Sequence, residues 1–69
     1  MKNQFSERLQ QLRLDANLTQ SQLAKVLSTT QRRISYFEKG AVEPDLDTLM
    51  AIAGYFGVSV DYLLGLKDY

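Results

Sequence analysis

Apolar side chains in this chain recur every three or four residues, and no stretch alternates apolar with polar. That period belongs to an amphipathic helix and excludes a half-buried strand. Phe5, Leu9, Leu12 and Ala16 line one face of a first helix, and Asn17 is a stop. Thr19 opens a second helix, with Gln22 placed to close a capping box; Leu23, Ala24 and Leu27 form its inner face. After the polar turn Ser28-Thr29-Thr30, Thr30 caps a third helix whose inner face is Ile34 and Phe37, and Gly40 ends it. Asp45 caps a fourth, with the stripe Leu46, Leu49, Met50, Ala53 and Phe56. Ser59 caps a short fifth that Gly65 closes. The spacing therefore predicts helices over about 5–16, 19–27, 30–38, 45–56 and 59–64. Five short helices with brief connections describe a compact all-α domain, and 69 residues suffice for one such domain, spanning 1–69.

Composition removes most chemistry. The chain has no cysteine and no histidine. Thiolate nucleophiles, thiolate metal sites and the commonest general base are absent. The remaining carboxylates, hydroxyls and lysines show no convergent pair. An enzyme is not expected, nor a metal or a cofactor. No apolar run approaches the roughly 20 residues that span a bilayer, and Met1-Lys2-Asn3-Gln4 leads into an amphipathic stretch rather than a signal peptide. The expected location is the cytoplasm, with no membrane partner.

The formal net charge is zero, but the charges are segregated. Residues 1–40 carry seven basic and three acidic side chains, and residues 41–69 carry one basic and five acidic. A positive end can meet phosphates even when the total cancels.

The segment 20–39 concentrates the functional signal. Two short helices joined by a polar turn are the outline of a helix-turn-helix, although an ordinary αα-hairpin shares it. On helix 30–38, Ile34 and Phe37 define the buried side. Arg32, Ser35 and Tyr36 then point toward solvent at 100° per residue, with Gln31 and Arg33 on the flanks. Gln pairs bidentately with adenine, and Arg with guanine or phosphate. A helix about 10–12 Å across fits the major groove, which is about 12 Å wide.

From about Phe5 to Leu66 the chain resembles the helix-turn-helix family of the lambdoid phage repressors and Cro proteins, also called the XRE or Cro/C1-type family. The matching stretches are Leu18-Thr19-Gln20, Leu23-Ala24, Ile34-Ser35, Phe37-Glu38-Lys39-Gly40, Pro44 and Phe56-Gly57-Val58-Ser59-Val60-Asp61-Tyr62-Leu63-Leu64-Gly65. The resemblance implies a lambda-repressor-like fold with the helix-turn-helix at helices 2 and 3. It implies a transcriptional regulator, expected to be a repressor, bound to double-stranded DNA. Gln31, Arg32, Arg33, Ser35 and Tyr36 fall on base-reading positions of the third helix. Gln20, Thr30 and Lys39 fall where phosphates are met. Arg13 and Glu38 match positions that form a buried ion pair between the first and third helices.

Three departures stand out. Ser28 occupies a turn position where the family carries Gly, at a cost of roughly 1–2 kcal/mol if the backbone stays left-handed. Thr29 replaces an apolar residue. The loop Ala41-Val42-Glu43-Pro44 lacks the basic residues common there, so each subunit should bind DNA modestly. Modest affinity per subunit points to a homodimer on a palindromic operator, with half-sites about 34–36 Å apart. Tyr55, Val60, Tyr62 and Leu66 are the expected interface, with Tyr69 also large and apolar. An alternative is a protein-interaction or antitoxin-type module that keeps this fold with weak or no DNA binding. Its partner affinity would be nearly indifferent to salt.

Overall fold

A computed structural model describes residues 3–69 of the chain. Five helices follow one another: α1 Phe5–Asp15, α2 Gln20–Val26, α3 Gln31–Lys39, α4 Leu46–Phe56 and α5 Val60–Leu64. The starts of α2 to α5 are set by side-chain caps, as the sequence predicts. Thr19 Oγ1 accepts from the Gln22 amide at 3.1 Å while Gln22 Oε1 accepts from the Thr19 amide at 2.8 Å, a closed capping box. Thr30, Asp45 and Ser59 accept from the amides of Arg33, Thr48 and Tyr62. Each cap satisfies a donor that the helix itself leaves free.

The helices enclose one core of Phe5, Leu9, Leu23, Ala24, Ile34, Phe37, Leu49, Ile52, Ala53 and Leu63. The Phe5 and Phe37 rings meet edge to face, 5.9 Å between centroids, and join α1 to α3. α3 packs on both α1 and α2, while α5 closes the domain against α1 and α4. At the end of α5, Gly65 adopts φ +81°, and a Cβ there would stand 2.9 Å from the Gln4 side chain.

The packing corrects the sequence reading in two places. Ala16 is exposed, because α1 ends at Asp15 and Asn17 turns the chain with φ 58°. On α4 the inward stripe is Leu49, Ile52, Ala53 and the half-buried Phe56. Leu46 and Met50 are 77% and 66% exposed. Both stripes obey helical spacing and share Leu49, Ala53 and Phe56. Packing selects the one centred on Ile52, which is fully buried.

The turn between α2 and α3 keeps the left-handed step, with Ser28 at φ 56°. The Thr29 amide donates to Ala24 O at 2.9 Å, and the Ser28 amide to Lys25 O at 3.2 Å, so the turn closes α2 with bonds that glycine commonly supports. Serine bears a steric penalty there that glycine avoids, partly offset by glycine's larger unfolded-state freedom. Ser28→Gly should therefore raise unfolding free energy by about 0.5–1 kcal/mol. Urea denaturation checks it, with the midpoint rising and the slope unchanged.

Candidate nucleic-acid interface

α3 is held by its inner face. Ile34 and Phe37 are wholly buried, which turns Gln31, Arg32 and Tyr36 outward. Ser35 and Arg33 are half-buried at the edges of that face. Below α3 lies a polar network. Arg13 on α1 donates from Nε to Glu38 Oε2 at 2.6 Å and from Nη2 to Oε1 at 3.0 Å, a bidentate fork. Its Nη1 donates to Leu18 O at 2.8 Å. Both side chains are nearly withdrawn from solvent, at 10% and 3% exposure. The ion pair implied by the family resemblance is therefore present.

The network continues outward. Gln20 Nε2 donates to Glu38 Oε1 at 3.1 Å, and Gln31 Nε2 donates to Gln20 Oε1 at 2.6 Å. Gln31 is thus oriented by a chain of hydrogen bonds that begins in the buried pair. Its own carbonyl oxygen and second N–H have no hydrogen-bond partner among the described residues. Among the described residues, one side-chain N–H of Gln20 and the hydroxyl hydrogen of Thr30 likewise have no partner. Lys39 is exposed in the last turn and has no ion-pair partner among the described residues.

The two adjacent arginines differ. Arg32 is exposed and carries no ion pair among the described residues. Arg33 lies over the Phe37 ring, 5.1 Å from its centroid, and its Nη2 stands 3.8 Å from Asp45 Oδ2. This contact was not legible in the sequence, because it depends on how the α3–α4 loop returns. Asp45 is held below the usual aspartate range, chiefly by hydrogen bonds from the Thr48 side chain and amide, with the Arg33 charge adding to them.

The expected dimer residues divide. Tyr55 and Leu66 are exposed, the latter by 71%. Val60 is half-buried against the core, and Tyr62 is half-buried beneath the Arg8 guanidinium, 4.1 Å from its ring centroid. Arg8 is itself held by Gln4 Oε1 and by Lys67 O. Nothing in the sequence pattern marks this clasp.

A family model for helix-turn-helix proteins matches residues 9–63. The chain belongs to the XRE helix-turn-helix family. Among curated relatives, the HTH-type transcriptional activator BcrR of Enterococcus faecalis is 44% identical over 65 residues, covering 94% of this chain and 32% of BcrR. The chain thus spans about a third of that relative, and it spans 50% of ImmR, an HTH-type transcriptional regulator of Bacillus subtilis, at 38% identity. Among solved structures, the P22 c2 repressor in complex with a synthetic operator superposes with a TM-score of 0.84 at 28% identity, over 91% of this chain and 96% of that one. No helix among the described residues is long and apolar enough to cross a membrane.

Two outcomes follow from the site. Removing one member of the Arg13–Glu38 pair leaves a buried charge uncompensated, so Arg13→Met should cost about 3–5 kcal/mol. Replacing both, Arg13→Met with Glu38→Leu, should recover much of that loss; chemical denaturation of the three proteins measures it. Asp45 stabilises the fold fully above the ordinary aspartate pKa, and its contribution is lost as pH falls through its lowered folded value. The melting temperature of the parent should therefore fall toward that of Asp45→Asn as pH drops below about 4.

Proposed function

We propose that the chain is a sequence-specific double-stranded DNA-binding transcriptional regulator that lays α3 in the major groove. One observation carries the reading. The outer face of α3 presents Gln31, Arg32 and Tyr36, and Gln31 is pre-oriented through Gln20 by the buried Arg13–Glu38 pair. A base-reading amide gains discrimination when its orientation is settled before binding. Gln31, Arg32, Ser35 and Tyr36 read base edges, while Gln20, Thr30 and Lys39 set the register on phosphates. The operator complex of the similar P22 c2 repressor supports the DNA partner.

The protein acts as a homodimer on a palindrome. The acidic loop Ala41-Val42-Glu43-Pro44 supplies no cation for the backbone, so one domain alone holds few phosphates. Exposed Tyr55 and Leu66 belong to the contact between subunits, with Val60 and Tyr62 contributing only their uncovered edges.

Selection from a random duplex library at two salt concentrations tests this. The expected product is a two-fold symmetric motif with half-site centres about 34–36 Å apart. Arg32→Ala should weaken binding by about 1–3 kcal/mol and relax preference at one position of each half-site. Leu66→Glu should weaken binding to the full palindrome more than to an isolated half-site. A library that yields no motif, with binding indifferent to salt and to Arg32→Ala, refutes the DNA reading.

A further inference from the structure

Arg33 and Asp45 form a loose pair at the edge of the reading face. Their closest approach, 3.8 Å, exceeds hydrogen-bond length. Both side chains keep solvent contact, at 43% and 64% exposure. Asp45 divides its two oxygens: Oδ1 caps α4 through the Thr48 amide at 2.9 Å, while Oδ2 faces Arg33. The Phe37 ring supports the guanidinium from one side. Beside it opens a cleft lined by Arg32, Tyr36, Val42 and Glu43. Arg33 is thereby drawn along the flank of α3 toward the α4 N-terminus, away from the outward direction that Arg32 takes.

We propose that Asp45 is a releasable brake on Arg33, and that Arg33 exchanges this carboxylate for a backbone phosphate when the domain docks on duplex DNA. The inference rests on the function proposed above and assigns Arg33 to the backbone rather than to the bases. Exposed ion pairs are weak, whereas an arginine–phosphate fork is short, charge-assisted and bidentate. The exchange therefore proceeds, but part of its gain is spent on leaving Asp45. Asp45 thus lowers affinity for all duplexes alike, because a phosphate contact carries no sequence information. It acts as a positioning residue and touches no nucleotide.

Asp45→Asn releases the brake while keeping a side chain that caps a helix. Its melting temperature at neutral pH provides the folding control. Binding should tighten about two- to fivefold at low salt, equally on the selected motif and on random duplex. Arg33→Ala should weaken binding on both and reduce the slope of log affinity against log salt by about 0.9, with the selected motif unchanged. In the double variant Arg33→Ala/Asp45→Asn the gain should vanish. The inference is overturned if Asp45→Asn leaves affinity unchanged, if its gain persists in full without Arg33, or if Arg33→Ala alters the base preference. A parent protein that selects no motif and binds duplex without salt dependence removes the proposed function and this inference together. A parent that selects a motif which Arg33→Ala changes removes only the inference.

Discussion

Arg13 on α1 and Glu38 on α3 lie 25 residues apart in the chain and meet with almost no access to water. Burying two charges carries a large desolvation cost, and good geometry with extra hydrogen bonds is what offsets it. Both conditions hold here. The fork is bidentate, the third arginine nitrogen reaches the Leu18 carbonyl, and Glu38 also accepts from Gln20. Such a pair adds little net stability compared with a well-packed apolar substitute. Its value lies in orientation, because one rotation of α3 about its axis satisfies all of these bonds.

That rotation is set from two sides at once. Ile34 and Phe37 insert into the core, and Glu38 engages α1 one residue later. With the inner face specified by apolar packing and the N-terminal edge by the Gln31–Gln20 contact, the outer face of α3 is a rigid surface. Rigid elements hold a recognition constellation better than loops do. The same arrangement explains how a chain of zero net charge can serve a polyanion. Six of its eight cations sit on the first three helices, and five of its eight acidic residues lie beyond Gly40. Where the two populations touch, at Arg33 and Asp45, the acidic one modulates the basic one.

The face formed by α4 and α5 follows a different rule. Leu46, Met50, Tyr55 and Leu66 remain outside the core. Tyr62, by contrast, is covered by Arg8, whose guanidinium reaches back from α1 and is fastened by Gln4 and the Lys67 carbonyl. A large apolar residue on a short helix can thus be covered by a long cationic side chain from elsewhere, which lies flat on an aromatic face.

Much of this protein is written locally. The caps at Thr19, Thr30, Asp45 and Ser59, the five helices and the buried faces of α2 and α3 all depend on residues a few positions apart. Short-range rules therefore suffice to read them. The Arg13–Glu38 pair was legible only because the order of motifs resembles a known family; spacing alone does not bring those residues together. Tertiary structure decided the rest. Periodicity states that α4 has an apolar stripe, but Leu46-Leu49-Met50-Ala53 and Leu49-Ile52-Ala53-Phe56 satisfy it equally until α4 is docked. Residue type marks Arg32 and Arg33 as equivalent, yet one has no ion-pair partner among the described residues and the other faces Asp45 across a folded loop. The physical reason is the same in both cases: a helix fixes the angles among its own side chains, whereas what stands opposite each angle is set by packing between segments distant in the chain.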